Sequence, residues 1–162
     1  MIRKAVPGDL DFIYELYMHP QINPWLLYEP MDKNSFRPIY DELLEKGVKY
    51  IYNHDGKDSG MFKLVPFTHR TSHIVYLGGL AIHPSFAGMG LGQQLMNEII
   101  SFVRQQGFKR VELGVDLINE KALRLYEKMG FKKEGIMKKY VYLKKENIFL
   151  DEVLMAYLIE DE

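Results

Sequence analysis

"HPSFAGMGLGQQLM", residues 83–96, is the stretch on which the fold turns. Gly88, Gly90 and Gly92 stand directly before a run of apolar residues at helical spacing. Glycine is the costliest residue to order and a poor helix former, so three of them at a helix start need a reason. A tight strand-to-helix turn would use them for conformation alone. A dinucleotide fingerprint would need glycine where Gln93 stands, and a Walker loop would need a Gly-Lys-Ser/Thr that is absent. The remaining reading is an anion cradle. Glycines leave backbone N–H groups unobstructed, and a helix N-terminus adds unpaired donors and the positive end of the helix dipole.

The flanks of this stretch extend the pattern. Before it, Ile74 to Ile82 reads as a buried central strand, apolar on both faces. Gly78-Gly79 in its middle weakens it and predicts a bulge that parts it from the strand at Val111 to Val115. After it, Leu91, Leu95, Met96, Ile99, Ile100 and Val103 form one apolar helix stripe, ended by Gly107. A helix is predicted over Glu120 to Met129, with Asn119 before it and Gly130 after it. Residues 136–158 read as a long hairpin turning at Lys145-Glu146-Asn147. Towards the N-terminus, a strand over Ile2 to Val6 leads into a helix with Leu10, Ile13, Leu16 and Tyr17 on one face. Residues 19–30 are irregular, and a second helix runs from Lys33 to Glu45 and stops at Gly47. Strands over Val48 to Tyr52 and Gly60 to Phe67 are joined by the polar turn 53–59. The whole predicts one α/β domain over residues 1–162, a mixed central sheet flanked by helices and closed by a hairpin.

Composition removes several function classes. The chain has 162 residues, 47% of them hydrophobic, enough for one domain with a proper core. It has no cysteine, which excludes disulfides, thiolate zinc sites and cysteine nucleophiles. A net charge of −1 with no basic block argues against a nucleic-acid partner. The longest apolar run, Ile74 to Ile82, is far short of the ~20 residues a bilayer span takes. The opening "MIRKAVPGDL" has no apolar signal core. The expectation is a soluble, cytoplasmic protein with no membrane partner. His69 and His73 lie in a polar loop with no third ligand nearby, so no metal site is expected.

"LAIHPSFAGMGLGQQLM" followed by "ELGVDLINEKALRLYEKMGFKKEG" resembles the GNAT superfamily of acetyl-CoA-dependent N-acyltransferases. That signature is a strand, a Pro, then Arg/Gln-x-x-Gly-x-Gly/Ala opening a helix. Further on come Asn, Ala, a Tyr seven residues after the Asn, and Gly-Phe. Here these are Pro84, Ala87 to Gly92, Asn119, Ala122, Tyr126, Gly130 and Phe131. The resemblance implies the GNAT fold, with a splayed pair of central strands, and acetyl-CoA as co-substrate. It implies that Leu80, Ala81 and Ile82 pair with the pantetheine arm. Backbone N–H groups of Gly88, Met89, Gly90, Leu91, Gly92 and Gln93 would hold the pyrophosphate, with Asn119 and Lys128 also on the cofactor. It implies that Tyr126 faces the sulfur and protonates the departing thiolate. It leaves room for a homodimer.

Two departures from the family pattern bear on mechanism. Ala87 replaces the usual Arg or Gln of the loop. The carboxylate that some relatives carry five residues before the Asn is Gly114 here, and the one others carry on the central strand is Tyr76. Tyr76, Glu112, Asp116 or a water chain are the candidates left for the catalytic base. A side-chain amine near pKa ~10.4 costs roughly 4 to 5 kcal/mol to deprotonate at pH 7, a peptide α-amine near ~8 only about 1 to 1.5 kcal/mol. A site without a clear base therefore leans towards an α-amine. The resemblance places the acceptor among Trp25, Tyr28, Glu29, Phe36, Tyr140, Tyr142, Phe149 and Asp151, aromatics with acids that suit a cationic amine. The expected reaction is acetyl transfer by direct attack of a small-molecule primary amine, a free amino acid first. Polyamines, protein N-termini and a non-catalytic CoA-binding role are the alternatives.

Overall fold

The computed structural model describes residues 1–161, which form seven strands and four α-helices. In chain order these are β1 (Ile2–Lys4), α1 (Leu10–Met18), α2 (Lys33–Lys46), β2 (Lys49–His54), β3 (Lys57–Pro66), β4 (Ile74–Ile82), α3 (Leu91–Gln105), β5 (Arg110–Asp116), α4 (Glu120–Lys128), β6 (Lys132–Leu143) and β7 (Ile148–Leu158). They form one open mixed sheet in the order β1-β2-β3-β4-β5-β7-β6. The β4–β5 pair is parallel, and its register runs from Ile74–Arg110 to Tyr76–Glu112 although both strands continue beyond it. This is the splayed pair, and Gly79, just past the paired stretch, takes a left-handed φ of 55°.

The seven-residue turn expected between β2 and β3 shrinks to Asp55-Gly56, because both residues adopt positive φ, 51° and 79°. That matches the twist of a two-residue hairpin, so the flanking polar residues can join the strands. The first strand is shorter than expected and ends at Lys4.

By Cα packing the chain divides into two compact units, Met1–Leu64 with Gly79–Leu95, and Val65–Gly78 with Met96–Glu162. The chain passes between them within β3, β4 and α3.

The first unit has its core between α1, α2 and the inner strands. Ile13, Leu16 and Tyr17 of α1 and Phe36 and Tyr40 of α2 pack with Ile51, Met61 and Ala81. Each such side chain contributes roughly 1.5–3 kcal/mol by leaving water. Both arms of the Arg3 guanidinium, at 2.8 and 2.9 Å, and the Val6 N–H, at 2.9 Å, reach the Asp9 carboxylate and tie β1 to the start of α1. The Asp32 side chain caps α2 through the Ser35 N–H at 2.7 Å, and left-handed Gly47 ends it.

In the second unit β5 lies against β7 over its whole length, Arg110–Leu158 to Asp116–Glu152. Val111, Leu113, Val115, Val153 and Met155 are buried. Alternation puts Glu112, Gly114, Asp116 and Glu152 on the opposite face, with Tyr76 beside Glu112. β6 is the outer strand and carries a bulge where the register jumps between Met137 and Val141. Lys139 within it has a φ of 50°, and its N–H donates to the Asp151 carboxylate at 2.8 Å.

Candidate active site

The glycine loop belongs to the first unit. Where β4 ends, the His83 N–H donates to the Ser59 carbonyl at 2.8 Å. The His83 ring accepts the Ser85 N–H at Nδ1, 3.1 Å away. Its Nε2 therefore carries the hydrogen and donates to Glu15 of α1 at 2.8 Å. The start of the loop is thus pinned by a side chain that the glycine pattern gave no cause to single out. Gly88 and Gly90 have φ of 79° and 71°, and no atom lies within 4 Å of where a Cβ would stand. Backbone shape and open space, not packing, explain these two glycines. The Gln94 N–H makes a bond into α3, to the Gly90 carbonyl at 3.3 Å. The N–H groups of Leu91, Gly92 and Gln93 precede that bond, as the donors of an anion cradle would.

Beneath Gly79 lies a buried pair. Lys49 is 2% exposed, with its Nζ 2.7 Å from the Tyr17 hydroxyl and 4.4 Å from the centre of that ring. A Cβ on Gly79 would stand 2.9 Å from the hydroxyl and 3.1 Å from Nζ. Burial, and then Lys63, push the Lys49 ammonium well below the usual lysine range. Tyr28 meets Tyr17 edge-on at 5.2 Å, and Lys63 holds its Nζ 5.9 Å from the Tyr28 ring centre. Burial, and then Lys46, lower the Lys63 pKa as well. Of the expected acceptor residues in this unit, Trp25 is 44% exposed, while Tyr28 and Glu29 are half-buried. Phe36 is fully enclosed in the core and cannot line a site.

The second unit carries the other expected residues. Asn119 uses its side-chain oxygen to cap α4 through the Ala122 N–H at 3.3 Å. Two turns on, Tyr126 packs against Phe131 at 5.8 Å. Burial, and then the neighbouring Tyr76, raise the Tyr126 phenol far above the usual range, so it holds its proton. Lys128 is exposed in the last turn of α4. The Tyr76 ring lies over Gly78, where a Cβ would come within 2.6 Å of it.

The carboxylates sort themselves by their partners. Glu112 accepts from Arg110 at 2.9 Å. Asp116 accepts the Ile118 N–H at 3.0 Å, which shapes the turn before α4. Asp151 is held at the β6 bulge by the Lys139 N–H and, at 3.4 Å, by Lys138. Tyr142 and Phe149 stack on each other at 4.6 Å, and the Tyr142 hydroxyl donates to Asn147 at 2.8 Å, closing the hairpin turn. Glu152 was absent from the expected set. It is 7% exposed, directly opposite Asp116 in the register, and its Oε1 lies 2.6 Å from where a Gly114 Cβ would stand. Burial, and then Asp116, raise its pKa. Its sequence signal is a lone acid whose same-face neighbours in β7, Leu154 and Ala156, are apolar.

Among the described residues no group of three or more His, Asp or Glu could hold a metal, and no helix is long and apolar enough to cross a membrane.

An open mixed sheet with a splayed parallel pair, and a glycine loop opening a long helix, make up the fold expected of the GNAT family. The chain belongs to the GNAT acetyltransferase family, whose model matches residues 10–131, and it is an acetyltransferase. It is 28% identical over 141 residues to a Bacillus subtilis protein named as a ribosomal protein bS18-alanine N-acetyltransferase, covering 86% of this chain and 85% of that one. Its fold matches a spermidine N-acetyltransferase from Vibrio cholerae, solved with CoA and spermine, at a TM-score of 0.84 and 21% identity, over 98% of this chain and 94% of that one. A phosphinothricin acetyltransferase from Sinorhizobium meliloti, solved with acetyl-CoA, matches at 0.76 and 21%, over 98% and 88%.

Proposed function

We propose that this acetyltransferase moves acetyl from acetyl-CoA to the primary amine of a small molecule that also bears a carboxylate, a free amino acid being the simplest case. The observation that carries the acceptor class is Lys63. It is half-buried beside Tyr28, its pKa is lowered by burial, and it has no acidic partner among the described residues. A partly desolvated cation favours an anion nearby and disfavours a second cation. An acceptor carboxylate supplies the first, and a polyamine brings the second. Trp25 and Glu29 complete the acceptor side of this reading.

Acetyl-CoA supplies an acetyl group activated as a thioester. In this reading the backbone N–H groups from Gly88 to Gln93 hold the pyrophosphate, with Ala87 contributing no charge of its own. Leu80, Ala81 and Ile82 pair with the pantetheine arm as a strand would. Asn119, whose oxygen caps α4, offers its amide N–H groups, and Lys128 adds a cation at the end of that helix. Tyr126 gives its proton to the departing sulfur, and burial keeps that phenol protonated until then.

The test is an acetylation panel that pairs each amino acid with the amine lacking its carboxylate, alongside spermidine and short peptides. The expected preference in kcat/KM for the carboxylate-bearing member is tenfold or more, equivalent to about 1.4 kcal/mol. Lys63→Met should erase most of it. Faster acetylation of spermidine, or of peptide N-termini than of amino acids, overturns the acceptor class.

A further inference from the structure

We propose that Glu152 takes the proton from the acceptor amine, so that β7 delivers the carboxylate that β5 lacks at Gly114. The inference rests on amine acetylation as read above, and it adds the residue that makes the amine nucleophilic. Three observations carry it. First, the Glu152 side chain occupies the room Gly114 leaves: its Oε1 lies 2.6 Å, and its carboxyl carbon 3.7 Å, from the position of the missing Cβ. Any larger residue at 114 would have to displace that carboxylate. Second, Glu152 is 7% exposed, yet its carboxylate has no hydrogen bond or ion pair among the described residues. Among the described residues no fully enclosed side-chain oxygen lacks a partner, so the carboxylate keeps an opening to solvent. Third, the other acids of this face are engaged. Glu112 is paired with Arg110, and Asp116 holds a backbone N–H. Of the three, Glu152 is the acid with no hydrogen bond or ion pair among the described residues.

The groups facing Glu152 set how it titrates. From β5 they are Gly114 and Asp116, and from β6 its register partner is Met137, which does not ionise. Two acids opposite each other on antiparallel strands repel. Asp116 therefore works with burial to keep Glu152 more basic than an ordinary carboxylate.

The protons balance. The acceptor arrives as an ammonium and passes one proton to Glu152. Its nitrogen lone pair forms the C–N bond at the acetyl carbonyl as the C–S bond breaks. The sulfur takes the Tyr126 proton. The second nitrogen proton restores the phenol, and Glu152 releases its proton to water.

The experiment is the pH profile of kcat/KM for wild type, Glu152→Gln and Asp116→Asn, using the amine that wild type acetylates fastest. Glu152→Gln removes a like-charge contact and should fold, with the acetyl-CoA thermal shift unchanged. Its rate near neutrality should fall about 10²-fold, within the usual range for a positioned base. Its acid limb should move up towards the amine's own pKa, with activity recovering as pH rises. Asn in place of Asp116 keeps an oxygen for the Ile118 N–H. It should move the acid limb of an otherwise active enzyme to lower pH, because the like charge that raised Glu152 is gone. A merely structural Glu152 would leave both limbs in place. Unmoved limbs in both variants overturn the proposal alone. A wild type that acetylates no amine overturns the amine reading and this proposal with it.

Discussion

Tyr126 holds its proton because its phenol is buried and Tyr76 stands beside it, so ionisation would place charge in a poorly solvated spot. A donor that stays protonated is what a departing thiolate needs. Tyr126→Phe keeps the ring against Phe131 and deletes the hydroxyl. It should leave the acetyl-CoA thermal shift intact and lower kcat by about 10²-fold, the low end for general acids because a thiolate is already a fair leaving group. Stopped-assay turnover beside a melting curve measures both, and an unchanged kcat would assign the acid elsewhere. The helix that carries Tyr126, and Asn119 as its cap, were legible because cap and helical spacing lie together in one short stretch of sequence. The burial of Glu152 against Gly114 was not, because it depends on which residue of β5 faces it. Register across a sheet is settled by turns and packing far along the chain. Lys49 was hidden for a related reason: a lysine at the start of a strand reads as a solvated end until α1 is known to cover it.

Elements were more readable than pairings. The bounds of β4 came out as expected, Ile74 to Ile82, because a continuous apolar run between polar neighbours has little freedom to shift. The apolar stripe of α3 likewise has Leu95, Met96, Ile99 and Val103 at 0% exposure. The β2–β3 turn was misjudged because Asp-Gly in mirror-type φ costs so little that the strands run on into polar sequence. Two glycines at either end of α3 allow a controlled test of the cradle. Gly90 precedes the helix and Gly107 follows it, both with positive φ and with open space where a Cβ would stand. A side chain at either strains the backbone by roughly 1–2 kcal/mol. Gly90→Val should lower the melting temperature and also abolish most of the stabilisation by acetyl-CoA. Gly107→Val should lower the melting temperature and keep that stabilisation. Equal retention in both variants would remove the loop from cofactor binding.

At the scale of the whole molecule, two buried groups bend stability against pH in opposite directions. Glu152 has a raised folded pKa, so its folded form is favoured below the ordinary glutamate range. That advantage is lost as pH rises through the folded value. Lys49 has a depressed folded pKa, so the unfolded chain binds the extra proton, and stability rises with pH up to the ordinary lysine value near 10.5. Denaturant unfolding should therefore show Glu152→Gln more stable than wild type at neutral pH and indistinguishable from it at pH 4. Lys49→Met should lose the rise between pH 7 and pH 10. Parallel curves for wild type and both variants would show that neither group changes its proton affinity on folding.

The outer strand β6 carries a consequence for how the protein behaves in concentrated solution. Ile136, Tyr140 and Tyr142 are 53%, 55% and 41% exposed on it, the makings of a template for fibril growth. The register jump at Met137–Val141 breaks the ladder a second copy would need, and Lys132, Lys133, Lys138 and Lys139 line the same edge. The kink acts at any ionic strength, whereas the lysine repulsion is screened within about 3 Å at 1 M salt. Colloidal stability at high salt therefore rests on the left-handed turn at Lys139 and the Asp151 carboxylate that holds it.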